Sequence, residues 1–233
     1  LPAAVSPRDP AGSNPAPGLP QIRLVLAVSL DGRLAPPGGG PAQLGGAGDR
    51  RVLEEALAWA DGCLIGARTL RLHGNTCLIR RPELLEQRRR AGRSPQPIAI
   101  VVSRSGQLDP ALPFFGQPLR RGLLWPLPPE ATPAEPAGFD QSWPLNSWPE
   151  ALAALGASGL GRLVLLGGAE LAGALLALDL VEQLQLTLCP LLLGGPHSWL
   201  PEGVALPVGG WELLEQRPLG DGELLLRYGR WRH

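Results

Sequence analysis

Residues 162–186, RLVLLGGAELAGALLALDLVEQLQL, limit the possible fold more than any other stretch of this chain. An apolar run of strand length meets two adjacent glycines and passes straight into an apolar helical segment. It returns from Val181 as a second apolar run. Short, nearly continuous apolar runs bounded by turn residues read as strands covered on both faces. A strand joined to its successor through a helix belongs to an α/β sheet.

The same alternation fills most of the chain. A strand is expected over 22–29, closed by Asp31-Gly32, and a long flexible loop over 35–48. Asp49 then reads as the cap of a helix in which Val52, Leu53, Ala56, Leu57 and Ala60 recur at helical spacing. Further strands are expected at 63–65, 97–102, 122–125, 162–166 and 181–193, with helices from Pro82 to near Gly92, over 148–155 and over 169–178. Residues 211–217 and 223–230 alternate apolar and polar positions across Gly220-Asp221-Gly222, which predicts a β-hairpin. Strand–helix alternation to about residue 180, followed by strand after strand, predicts an α/β sheet with helices on both faces and an antiparallel C-terminal edge. Residues 126–146 carry little signal. The Pro/Ala/Ser/Gly-rich residues 1–20 read as a mobile leader, and 21–233 as one domain.

Composition excludes several chemistries. All 21 basic residues are arginine, so lysine Schiff bases and the P-loop lysine are ruled out. The formal net charge of zero disfavours nucleic-acid binding through a basic surface. Glu170 and Asp179 interrupt the richest apolar region, so no membrane span is expected. The N-terminus has no basic stretch leading into an apolar one, so no signal peptide is read. Cys63, Cys77 and Cys189 are odd in number and widely spaced, which fits reduced thiols in the cytoplasm and no metal site. GxSxG, HExxH and the zinc-deaminase pattern are absent.

Four segments carry candidate chemistry. Gly167-Gly168 before a helix start offers close backbone approach and a positive dipole, suited to a phosphate or pyrophosphate. The alternative is a tight connection in which glycine only relieves crowding. In 24–35, LVLAVSLDGRLA, the strand end is placed to line a cofactor site, or simply makes an Asp-Gly turn. In 64–80, LIGARTLRLHGNTCLIR, the arginines 68, 71 and 80 suit bidentate phosphate contacts, against the reading of a solvated loop. Ser103-Arg104-Ser105 follows a strand end and suits a ribose phosphate, or a turn. Arg88, Arg89 and Arg90 read as decoration of an exposed helix end.

Taken in order, SLDGRLA, LIGARTL and LVLLGGAELAGALLALDLVEQLQLTLCPLLLGG resemble the reductase domain of riboflavin biosynthesis. That domain is the C-terminal half of the bifunctional deaminase–reductase and a relative of dihydrofolate reductase; here it would be a stand-alone form. The resemblance runs over nearly all of 22–228. It implies a three-layer α/β/α, dihydrofolate-reductase-like fold with a mostly parallel sheet, and a cytoplasmic homodimer. It also implies NADPH bound across the strand ends. The implied reaction is reduction of a phosphorylated ribosylamino-pyrimidine, 5-amino-6-(5-phosphoribosylamino)uracil or its diamino-pyrimidinone analogue, by hydride transfer to the sugar C1.

Residue by residue, the resemblance puts Ala27 at the nicotinamide end and Thr69, His73 and Ser103 towards NADPH. Gly167, Gly168, Ala169, Glu170 and Leu171 fall at the pyrophosphate. On the substrate side it implies Arg80 at the phosphate, Cys77 at a backbone contact, and Asp31 and Arg33 nearby. It names no catalytic acid. Three positions depart from the family pattern: Leu57 stands where an arginine is usual, Leu166 where a glutamate is usual, and His73-Gly74 where an acidic pair is usual. These departures keep two alternatives open, a reductase of the same fold acting on another pterin-like or imine substrate, and a non-catalytic nucleotide-binding paralogue.

Overall fold

The structure is a computed structural model, and it describes residues 18–40, 44–127 and 136–231. Nearly all of the expected leader, 1–17, lies outside the described residues. One nine-stranded sheet has the order β5-β4-β3-β2-β6-β1-β7-β9-β8. Its strands are β1 (Gln21–Ser29), β2 (Gly62–Gly66), β3 (Ile98–Val102), β4 (Arg121–Trp125), β5 (Gln141–Pro144), β6 (Arg162–Leu165), β7 (Gln183–Cys189), β8 (Trp211–Gly220) and β9 (Glu223–Arg230). The pairings from β5 through β7 are parallel. Those of β7 with β9 and β9 with β8 are antiparallel, so the C-terminal hairpin extends the sheet at its edge.

Alternation along each strand splits the core in two. Ile22, Leu24, Leu26, Leu64, Ile100, Leu163 and Leu165 face one side and pack with α4 (Trp148–Ala157) and α5 (Ala169–Ala177). Val25, Cys63, Ile65, Ala99, Val101 and Val164 face the other side. There α1 (Ala47–Trp59), α2 (Ala67–His73) and α3 (Pro82–Arg90) cover them. The architecture is therefore three layers, α/β/α, with a mostly parallel sheet. Hydrophobic burial on both faces explains why the central strands read as unbroken apolar runs.

Several elements differ from expectation. Residues 67–73 form α2 and not a solvated loop: Ala67 and Leu70 are buried, and Gly74 at φ 73° supplies the left-handed cap. The polar residues of this segment occupy the outer face of a short helix. β7 ends at Cys189, four residues earlier than expected, because Pro190 follows with no N–H to give the ladder. β5 falls where the sequence gives little signal, and part of that stretch, 128–135, lies outside the described residues.

Arg88 is a further correction. It is buried, 3% exposed, and not decoration. Its guanidinium donates to the carbonyls of Leu57, Ala58 and Ala60 at the C-terminal end of α1, and to Ser94. Helix ends leave carbonyls without intrahelical partners. Here a side chain from α3 takes that place, and burial together with Arg93 lowers its pKa to about 10. Arg89 and Arg90 are exposed and pair with Glu86, as expected of a helix surface.

α1 begins two residues before Asp49, and Asp49 does not cap it. Its cap residue, Gly46, has no side chain to offer. The carboxylate of Glu223, at the start of β9, accepts from the backbone N–H groups of Gly46 and Asp49 instead. A cap borrowed from 174 residues away leaves the Asp49 side chain available for other work.

Candidate active site

A cavity of about 1090 Å³ opens at the C-terminal ends of β1, β2, β3 and β6. Ligands of open α/β sheets bind in this position, because the strand ends and helix starts there leave backbone groups facing a crevice. The volume lies just above the usual range for small-molecule sites.

The structure brings together most residues that the sequence singled out. Ala27, Thr69, His73, Cys77, Ser103, Gly167, Gly168, Ala169, Glu170 and Leu171 all line this cavity, as do Arg68, Arg71, Arg104 and Ser105. The Gly167-Gly168 turn forms its inner wall. Both residues have positive φ, 57° and 91°, which side chains resist. A Cβ on Gly168 would lie 3.0 Å from the Thr69 hydroxyl, and one on Gly167 3.1 Å from Leu26. No side chain caps α5, whose cap residue is Gly168 itself. The first-turn N–H groups of such a helix have no intrahelical acceptor, and they present the positive end of the helix dipole. A glycine cradle, an uncapped helix start and three rim arginines fit a dinucleotide with phosphate groups.

Arg80, Asp31 and Arg33 are not among the cavity-lining residues. Arg80 is exposed, and its backbone N–H is held by the buried carboxylate of Glu54, which also receives the N–H of Arg81. Asp31 accepts from the Ser29 hydroxyl at 2.6 Å and from the N–H groups of Leu193 and Gly194. It ties the end of β1 to the segment after β7, and Arg33 lies 3.8 Å away. The Ser29 hydroxyl first, then the Leu193 amide, hold the Asp31 pKa down at about 2. A depressed carboxylate pKa adds stability that is present above the unfolded value near 4 and lost as pH falls through the folded one. The amide resonances of Leu193 and Gly194 are therefore expected to titrate with a midpoint at about 2, and Asp31→Asn should remove that titration.

An apolar cluster backs part of the cavity: Leu53 and Leu166 line it, and Leu57 lies behind them. Leu57 is fully buried, and Leu57, Leu53 and Leu166 share one hydrophobic cluster beneath α1. The two leucines that replace charged residues of the resemblance are thus parts of a single packed patch, and no unpaired charge is left behind.

Asp49 and its surroundings form the polar end of the cavity. Asp49 and Leu53 both line it, one helical turn apart on α1. Burial first, and then the nearby Glu223, raise the Asp49 pKa, against the opposing influence of the neighbouring Thr187 hydroxyl. Cys77 is reached by solvent through the cavity, yet surrounding protein atoms and the Asp49 charge push its thiol up. Cys189 is pushed up to about 11 by desolvation, Asp49 and Glu223. Sequence reasoning assigned Asp49 to capping, and only the long-range contact with Glu223 reverses that.

Residues 20–222 match the family described as RibD C-terminal domain. A 2,5-diamino-6-ribosylamino-4(3H)-pyrimidinone 5′-phosphate reductase from Archaeoglobus fulgidus is 24% identical over 186 residues, 77% of this chain and 84% of that protein. The crystal structure of a pyrimidine reductase-like protein from Corynebacterium diphtheriae has a TM-score of 0.75 and 22% identity, covering 92% of this chain and 93% of that one. A dihydrofolate reductase from Enterococcus faecalis, complexed with NADP(H), has a TM-score of 0.50 and 16% identity, covering 90% and 96%. The last two are likenesses of fold.

Proposed function

Because the chain belongs to the RibD C-terminal domain family, we propose that it is a reductase of riboflavin biosynthesis that uses NADPH to reduce a phosphorylated ribosylamino-pyrimidine. The observation that carries this reading is the cavity at the strand ends, walled by the Gly167-Gly168 turn and the uncapped start of α5. In this reading the first-turn N–H groups of α5, at Ala169, Glu170 and Leu171, hold the pyrophosphate. The Thr69 hydroxyl, beside Gly168, orients it. Ser103 faces the adenosine ribose, and Arg104 with Ser105 takes the 2′-phosphate, since a guanidinium fork suits phosphate oxygens. Ala27, at the end of the central strand, meets the nicotinamide, and His73 sits at the rim. The bound cofactor supplies a hydride. The protein supplies position, exclusion of water and electrostatics.

With no lysine in the chain, the substrate phosphate needs arginine or backbone amides. Arg71 lines the cavity and is the better-placed candidate; Arg80, Asp31 and Arg33, outside the lining, contribute only if the substrate reaches past the cavity edge. The activity named for the Archaeoglobus relative supports the substrate class. A homodimer and a cytoplasmic setting belong to the same reading. Three unpaired cysteines support the second. Among the described residues no helix is long and apolar enough to cross a membrane.

A second reading keeps the reductase and changes the substrate. It is favoured by Leu53 and Leu166, which line the cavity and offer apolar contact, Leu166 standing where the family resemblance implies a glutamate. Turnover decides between them. The first reading expects NADPH oxidation that depends on the phosphorylated ribosylamino-pyrimidine. No turnover of that compound, with NADPH oxidation by another pterin-like or imine substrate, would favour the second. A folded protein that binds NADPH and reduces nothing would be a nucleotide-binding paralogue.

A further inference from the structure

Two carboxylates line the cavity among the described residues, Glu170 and Asp49. Glu170 is exposed and paired with Arg68 across the rim. Asp49 is half-buried, and its backbone N–H is already taken by Glu223. Its side chain reaches Thr187, which is 2% exposed. In the β1–β7 ladder Thr187 is the register partner of Ala27. The Asp49 side chain therefore meets the strand next to β1, at the register level of Ala27, and both residues line the same cavity. In the reductase reading, where Ala27 meets the nicotinamide, Asp49 faces the part of the cavity in which the substrate would be reduced.

We propose that Asp49 is the catalytic acid of this reductase, delivering the proton that opens the sugar ring of a glycosylamine substrate before reduction. The proposal rests on the reductase reading above. A cyclic glycosylamine has no C=N bond for a hydride to attack. The proton on Asp49 passes to the ring oxygen. The C1–O bond breaks, its electron pair stays on the oxygen as a hydroxyl, and the exocyclic nitrogen lone pair forms C1=N. C1 then accepts the hydride, and the C=N pair returns to nitrogen. One hydride and one proton are consumed, C1 is reduced, and Asp49 regains its proton from water through the open cavity.

The surroundings favour a neutral acid. Around Asp49 stand Glu223 from β9, Thr187 and Cys189 from β7, Cys77 from the segment after α2, and Arg50 from its own helix. Arg50 is the single basic group in this set, while Glu223 and burial act against ionisation. An acid works best when its pKa approaches the working pH.

The test compares wild type, Asp49→Asn and Asp49→Glu. Asp49→Asn is expected to lower kcat on the order of 10²–10³-fold, with NADPH affinity unchanged and partial recovery in Asp49→Glu. Wild-type kcat should fall as pH rises through the Asp49 titration, and that limb should vanish in Asp49→Asn. Thermal stability gives a readout independent of activity. An acid whose folded pKa is raised loses stability as pH climbs from its unfolded to its folded value. Asp49→Asn should therefore raise Tm at alkaline pH and leave it little changed in acid. If Asp49→Asn keeps kcat within about threefold of wild type, the acid role is overturned and the reductase reading stands. If it loses cofactor binding and stability together, the residue is structural and the proposal also falls. If wild type neither binds nor oxidises NADPH, the reductase reading falls and takes the proposal with it.

Discussion

Gly168→Val is expected to weaken NADPH binding on the order of 10²-fold or more, a loss of about 2.7 kcal/mol. Two effects act at this position. The backbone sits at φ 91°, where a β-branched residue is strained by about 1–3 kcal/mol. The added Cβ would also lie 3.0 Å from the Thr69 hydroxyl, so the turn, the threonine or both must shift. Either movement would tilt the start of α5 and turn its N–H groups away from the phosphates they are proposed to hold. Gly159→Val separates the effects. Gly159 has a similar φ, 85°, but open space where its Cβ would go, and it does not line the cavity. It should lose comparable stability and keep cofactor affinity. Energy transfer from tryptophan to bound nicotinamide reads the affinity, since Trp148 lines the cavity. Equal affinity losses in both variants would remove the turn from the cofactor site.

Arg88→Ala is expected to destabilise the fold by about 3–5 kcal/mol. The estimate follows from several buried carbonyls left without a donor at about 1–3 kcal/mol each, eased in part by entering water. Leu57, Ala58 and Ala60 present those carbonyls, and Arg88 is nearly fully buried among them. Arg89→Ala, at an exposed pair with Glu86, should cost less than about 1 kcal/mol. Urea unfolding of the two variants side by side checks the contrast. Equal, small losses would mean that the end of α1 is satisfied without Arg88.

Features whose causes are local in sequence were legible. Apolar runs and their breakers located eight of the nine strands, because strands buried on both faces leave an unbroken signal. The glycine pair before α5 was legible as a strand–helix turn, and it lies in the cavity wall with both residues at positive φ. Features whose causes lie far away in sequence were not. Arg88 reads as a surface charge until α3 packs on the end of α1. Asp49 reads as a cap until Glu223 arrives from β9 to take that role. The residues of α2 look like a polar loop because Ala67 and Leu70 are too few to set a visible period. The candidate site followed the same division. The residues expected on single strand–turn segments do line the cavity, whereas Arg80, Asp31 and Arg33 fall outside its lining because loop paths decide their positions.

The most direct test of the account is the fate of the hydride. NADPH carrying deuterium at the transferred position of the nicotinamide is incubated with the protein and the phosphorylated ribosylamino-pyrimidine, and the product is read by mass spectrometry and NMR. One deuterium is expected on C1 of the ribityl chain, with far slower incorporation at the same NADPH concentration when Gly168→Val replaces wild type. NADPH left unconsumed, or a product whose C1 carries only solvent hydrogen, would contradict it.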